Sequence, residues 1–198
     1  MTSIVYEQIE ILRSTHPIIR RLKREEGNHS LHGNKVWKSS LVAIDFMHRL
    51  EVEGANVLEL GAGWGAVSVY CAKMMGANVT ALDADADVFK YLQAQAKHND
   101  VNIKQWHERY ENVTQAQLAK FDMVIGADVC FWDEMTQPLY QLCERAVKAG
   151  VPYIQISDPG RPPFWQLAEL AHEHLGADCR EWTNESLQIS AQILDIEQ

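Results

Sequence analysis

Short apolar runs alternate with amphipathic stretches over most of this chain. Residues 57–60, 79–82, 101–106, 121–127 and 151–157 read as buried strands, and residues 66–75, 88–97, 134–148 and 164–175 carry apolar side chains at helical spacing. Strand and helix taking turns require parallel strands joined by right-handed crossovers, so the pattern predicts an α/β fold with a doubly wound, mostly parallel sheet. Gly76 and Gly150 each follow a helical run and precede a strand, as helix-terminating glycines do. The tail breaks the rhythm: residues 178–183 and 189–196 have no helix between them and read as a terminal antiparallel hairpin.

Ahead of the first strand, residues 4–12 carry helix-spaced apolar positions, and Pro17 interrupts them. A basic stretch through Arg20, Arg21, Lys23 and Arg24 to His29, His32 and Gly33 reads as a solvated helix face or a lid. Ser39 or Ser40 then caps a helix over 41–50. The expected organisation is a helical N-terminal extension or lid over 1–36 and one domain over 37–198.

The first strand runs into glycines at every second position, Val57-Leu58-Glu59-Leu60-Gly61-Ala62-Gly63-Trp64-Gly65. Gly61, Gly63 and Gly65 suit a tight turn with a ligand against bare backbone, and the next helix starts with free amides facing the same space. A nucleotide-like cofactor is the natural occupant. With Ala66 the spacing also meets the relaxed dinucleotide fingerprint of an oxidoreductase, and Glu59 separates the two. A buried carboxylate is repelled by a pyrophosphate and compensated by a cationic group. Asp83, at the tip of the second strand and 18 residues beyond Gly65, can accept both hydroxyls of a ribose. Asp85 is better placed to cap the helix over 86–98.

Ligands of an open α/β sheet bind beyond the strand carboxyl ends, where strand order reverses. The fourth strand ends there with Asp128-Val129-Cys130-Phe131-Trp132-Asp133. Asp128 followed by aromatic faces could hold a cationic group beside the cofactor and exclude water, while Asp133 reads as the N-cap of the next helix. Trp37, Trp64, Trp106, Trp132 and Trp165 all fall near strand ends or in flanking loops and together suggest an aromatic-walled pocket. Arg161, between Pro159-Gly160 and Pro162, can order its loop through ionic hydrogen bonds or touch substrate, and the ordering role is the preferred reading.

The segment from Glu59 to Gly65 resembles the Glu/Asp-x-Gly-x-Gly-x-Gly first motif of class I S-adenosylmethionine-dependent methyltransferases. Asp128-Val129-Cys130-Phe131 resembles the Asp-x-x-Tyr/Phe motif of the seven-strand protein lysine methyltransferases, with Phe131 where a tyrosine is common. Val36-Trp37-Lys38-Ser39-Ser40 is similar to their Val-Trp-Pro-Ser segment, with Lys38 replacing the proline. Ser157-Asp158-Pro159-Gly160-Arg161-Pro162 is similar to the Gly-Asp-Pro-Gly-Arg-Pro of the group that includes the electron-transfer flavoprotein beta-subunit lysine methyltransferase. The resemblance runs from about residue 33 to the end, with its motifs in order.

It implies a Rossmann-like sheet of seven strands whose last is antiparallel, S-adenosyl-L-methionine as cofactor, and methyl transfer to an amine nitrogen, first of all a protein lysine. It also implies that Trp37, Glu59, Gly61, Gly63, Gly65, Asp83, Glu108 and Asp128 hold the cofactor, Glu108 being the candidate acid for adenine. Asp128, Phe131 and Trp132 are the catalytic candidates. A small-molecule N-methyltransferase would share every cofactor residue; a nicotinamide-dependent oxidoreductase and a non-catalytic cofactor-binding module remain as alternatives.

Composition narrows the partners. At 198 residues the chain suffices for one well-buried domain. It has no run of about 18 apolar residues that a membrane span needs. Its first residues lack a basic region followed by an apolar core, so the expected compartment is the cytoplasm. Cys71, Cys130, Cys143 and Cys179 are scattered without a Cys-x-x-Cys pair, and His172 and His174 point apart on a helix, so no metal is expected. A formal net charge of −9 disfavours nucleic acid and suits a basic protein segment or a small amine.

Overall fold

The computed structural model describes residues 1–26, 35–50 and 53–198. In chain order the elements are β1 (Ser3–Tyr6), β2 (Ile9–Leu12), α1 (Pro17–Glu26), α2 (Lys38–Met47), β3 (Asn56–Leu60), α3 (Ala66–Met74), β4 (Asn78–Asp83), α4 (Phe89–His98), β5 (Lys104–His107), α5 (Gln115–Leu118), β6 (Met123–Ala127), α6 (Asp133–Lys148), β7 (Tyr153–Asp158), α7 (Pro162–Leu175), β8 (Asp178–Asn184) and β9 (Ile189–Glu197). The main sheet has seven strands in the order β5-β4-β3-β6-β7-β9-β8. β3 pairs in parallel with both β4 and β6, whereas β9 runs antiparallel to β7 and β8. This is the expected doubly wound, mostly parallel sheet with an antiparallel hairpin at its end. Strand order reverses at β3, which leaves a crevice beyond its carboxyl end.

Side chains that alternate across the strands explain the two cores. Leu58, Leu60, Val124, Ile154 and Ile156 are buried with Leu139, Leu142, Phe164 and Leu167 of α6 and α7. On the other face Val57, Met123, Ile125 and Tyr153 pack with Ile44 and Met47 of α2 and Val67 and Tyr70 of α3. Glu59 shares the parity of Val57, so its carboxylate points toward α3.

The N-terminal region departs from expectation. Residues 4–12 form the β1–β2 hairpin instead of a helix, with Glu7 at φ 51° in the turn. Isoleucine and valine dominate this segment, and Ile9 and Ile11 flank Glu10 in strand alternation, a pattern that helical spacing mimics over so short a run. Ile9, Ile11 and Leu12 are buried. The hairpin lies along α4, where Leu12 exchanges two backbone hydrogen bonds of 2.8 Å with the Gln95 amide and Glu10 exchanges two of 2.9 Å with that of Asn99. Pro17 opens α1 where it was expected to break a helix; its fixed φ and missing N–H suit a first-turn position. Arg20, Arg21 and Arg24 of α1 are exposed and Ile19 is buried, so this helix has a solvated basic face. His29, His32 and Gly33 lie outside the described residues.

Other boundaries move by a few positions. α2 starts at Lys38 with Trp37 in the capping position, so Ser39 and Ser40 are buried in its first turn and cap nothing. Asp133 is likewise the first residue of α6 and Trp132 precedes it. Asp85 does cap, accepting from the Asp87 amide at 2.9 Å ahead of a 3-10 turn over Ala86–Val88. Among the described residues no helix is long and apolar enough to cross a membrane.

Candidate functional site

A cavity of about 850 Å3 opens beyond the carboxyl ends of β3, β4 and β6, at the reversal of strand order. Glu59, Gly61, Gly63, Gly65, Asp83 and Asp128 all line it. Trp37, Phe131 and Trp132 line it as well.

The three glycines have φ of 56°, 52° and 74°, in the left-handed region, but they are glycines for different reasons. A Cβ on Gly61 would lie 2.7 Å from Val129 Cγ1, and one on Gly65 would lie 2.9 Å from Leu92 Cγ. At Gly63 it would meet nothing nearer than the Gly61 carbonyl at 4.0 Å. All three line the cavity, and the space that a Cβ would enter is open only at Gly63. Gly63 presents open backbone, while Gly61 and Gly65 are held small by protein side chains.

Asp83 stands at the end of β4 with each carboxylate oxygen on a backbone amide, Oδ2 accepting from Gly63 at 2.8 Å and Oδ1 from Asp85 at 2.9 Å. These bonds fix it against the glycine loop. Burial nevertheless pushes its pKa above the usual aspartate value, and the amides pull the other way.

Glu59 is 3% exposed. It accepts from the Ser68 amide at 2.9 Å and from the Ser68 hydroxyl, both in the first turns of α3. Burial pushes its pKa to about 8, the nearby Asp83 charge adding to the rise, so at neutral pH it mostly holds a proton. Two carboxyl groups crowded at one end of a cavity are relieved by a cation. Ser68 was not foreseen; in the sequence it is one polar residue in an apolar helix, and only the α3 crossover brings it under Glu59.

Asp128 has φ 56° and is 5% exposed, its amide donating to the Ser157 carbonyl at 2.8 Å across to β7. Its Oδ1 accepts from Arg161 Nη2 at 2.7 Å, and Arg161 Nη1 reaches Asp158 Oδ2 at 2.6 Å. Asp158 in turn caps the Gly160 and Arg161 amides at 2.9 and 2.8 Å. The Arg161 guanidinium also lies 4.3 Å from the Phe131 ring centre, and Trp37 meets Phe131 edge-on at 5.2 Å. Arg161 thus orders its loop as expected, but Asp128 and Phe131 do not present a bare charge and a bare ring face. Both carry the arginine.

The aromatic group divides. Trp37, Trp64 and Trp132 line the cavity; Trp106 and Trp165 do not. Trp64 is buried and stacks on Tyr91 at 4.9 Å, Trp106 packs on the α6–α7 core, and Trp165 donates to the Gly160 carbonyl at 3.1 Å. Trp132, 48% exposed, stands at the mouth. Glu108 also falls outside the lining: it accepts from Asn112 Nδ2 and the Arg109 amide, both at 2.8 Å, as the chain enters a 3-10 turn over Tyr110–Asn112. Tyr110 and Glu111 line that side of the cavity instead. His172 binds the Ala177 carbonyl at 2.9 Å and His174 is exposed, and among the described residues no three metal-binding side chains converge.

Residues 57–150 match the family described as "Methyltransferase domain". The electron transfer flavoprotein beta subunit lysine methyltransferase of Rattus norvegicus is 31% identical over 128 residues, 60% of this chain and 49% of that protein. The protein N-lysine methyltransferase METTL21A of Danio rerio is 31% identical over 119 residues, 55% of this chain and 53% of that protein. The chain therefore spans about half the length of the curated relatives it matches. Among solved structures, the tRNA (uracil-54, C5)-methyltransferase of Pyrococcus abyssi in complex with S-adenosyl-L-homocysteine superposes with a TM-score of 0.60 at 15% identity, covering 100% of this chain and 45% of that one.

Proposed function

We infer that this chain, a class I methyltransferase by its fold and its matched domain, takes a methyl group from S-adenosylmethionine and transfers it to the side-chain nitrogen of a lysine on another protein. The observation that carries the reading is the pair Glu59 and Asp83 at one end of a cavity where Gly63 offers open backbone. A ribose asks for a fixed carboxylate, and an ammonium beside a sulfonium asks for a buried acid that ionises when the cation arrives; Asp83 and Glu59 fit these two demands, and neither serves a pyrophosphate.

When bound, the cofactor supplies an electrophilic methyl group. The chain's residues do the rest by binding and alignment. Asp83, already fixed by two amides, would accept the ribose hydroxyls. Glu59 would face the cationic end, and a cation there drives its proton off. Trp37 and Trp132 wall the acceptor side and exclude water. Asp128, oriented by Arg161, is the acceptor-positioning carboxylate. A free lysine has a pKa of about 10.4, so the site must receive an ammonium and release its proton to water before the lone pair is available. The lysine methyltransferases among its relatives support a protein acceptor, and four unpaired cysteines, three of them buried, suit the cytoplasm.

The test is incubation with methyl-labelled S-adenosylmethionine and lysate of the host, followed by peptide mapping. Label on a lysine of a distinct protein is the expected result. Label confined to small molecules would replace the protein acceptor with a small amine, and tighter binding of NAD than of the sulfonium cofactor would end the methyltransferase reading.

A further inference from the structure

Resting on that reading, we propose that the chain methylates itself, with Lys35 as the acceptor. Lys35 is the one lysine lining the cavity among the described residues. Its ammonium sits over the Trp37 ring at 4.1 Å, and Trp37 contacts Phe131, which is followed by Trp132. This is the aromatic wall where a foreign lysine would bind. Among the described residues six carboxyl groups besides the protonated Glu59 line the same cavity against one lysine and one arginine, so its field draws a cationic side chain inward. Two other lysines lie over aromatic rings, Lys23 on Trp64 at 5.2 Å and Lys90 on Tyr91 at 5.4 Å, and neither lines the cavity.

The chemistry needs only the cofactor. Lys35 is exposed and can release a proton to water; its Nζ lone pair then forms a bond to the methyl carbon. The carbon–sulfur bond breaks with its electron pair left on sulfur, giving methyl-lysine, S-adenosylhomocysteine and a proton. A tethered acceptor does not have to be captured from solution, and that proximity compensates for the imperfect geometry of a residue that is not the regular substrate. Methylation keeps the charge, and a methylated ammonium still suits the Trp37 face.

The purified full chain, given methyl-labelled S-adenosylmethionine and no other protein, should gain label, all of it at Lys35 by peptide mapping. The rate per molecule should not change with protein concentration. Lys35→Arg, checked for an unchanged melting temperature, should abolish the gain. Label on Lys23, Lys90 or any other position with Lys35 unmodified would overturn the proposal, as would no gain in a preparation that labels a lysate protein. A rate rising with concentration would also overturn it, because transfer would then pass between copies. A chain that neither binds the cofactor nor labels lysate fails earlier, at the methyltransferase reading.

Discussion

Replacing Glu59 with glutamine should stabilise the free protein near neutral pH and flatten its stability profile from about pH 5 to pH 8. The cause is the burial that pushes the Glu59 pKa to about 8. An exposed glutamate titrates near 4.3, so over this window the folded chain holds a proton that the unfolded chain has released. Where the native state binds more protons, stability falls as pH rises, by about 1.4 kcal/mol per unit for one proton. The contribution is intact below the unfolded pKa and lost as pH climbs through the folded one; at pH 7 the accumulated loss is about 3–4 kcal/mol. Glutamine stays neutral throughout and its carbonyl can still accept from Ser68. Its amide N–H is left without an assured partner, at about 1–3 kcal/mol, so the net gain at pH 7 is about 1 kcal/mol. The difference in slope is not affected by that cost. Urea unfolding of both proteins at several pH values measures it directly. Parallel curves would refute the claim that Glu59 is protonated in the free protein, whatever the absolute stabilities.

Calorimetry of Asp83→Ala should show affinity for S-adenosylmethionine weaker by about 1.5–3 kcal/mol, the range for hydrogen bonds to a charged group; unchanged affinity would move the ribose contact to Asp85. Gly61→Ala should lower the melting temperature because its Cβ would lie 2.7 Å from Val129 Cγ1, whereas Gly63→Ala should fold and lose cofactor affinity; equal effects on both measurements would contradict the split among the glycines. Asp128→Asn should reduce transfer at least about tenfold, near 1.4 kcal/mol, with a far smaller change in cofactor affinity, and parallel loss of both would remove it from the acceptor side. Ile11→Ala, made in a residue with no exposed surface, should cost about 2–5 kcal/mol in chemical denaturation, and a shift under half a unit would mean the hairpin is not part of the core.

Much of this architecture is legible in the residues because parallel strands buried on both faces leave long apolar runs, and helices between them leave a different period. Val57 to Leu60 and Met123 to Ala127 are recoverable for that reason, as is the crevice they border. The N-terminal hairpin is not, since Ile4, Ile9, Ile11 and Leu12 satisfy helical and strand spacing alike and only α4 decides between them. At the site, Gly63, Asp83 and Asp85 are legible from local chemistry. What escapes is pairing over distance: Ser68 under Glu59, and Arg161 bridging Asp128 and Asp158, depend on which strands become neighbours. The surroundings of Glu108 are equally illegible: its place after β5 can be read along the chain, but its hydrogen bond from Asn112 and its position outside the cavity lining cannot.

The amides of Gln95 and Asn99 have a consequence beyond holding the hairpin in place. Each gives one N–H and takes one from β2, at Leu12 and Glu10, the alternate residues that face away from β1. Two side chains of a helix thus stand in for the next rung of a β-ladder. A four-residue strand with its outer edge unsatisfied invites pairing with another chain, the usual start of edge-to-edge aggregation. Here that edge is already spoken for, and substituting both amides by leucine would keep the apolar contact while turning β2 into a sticky border.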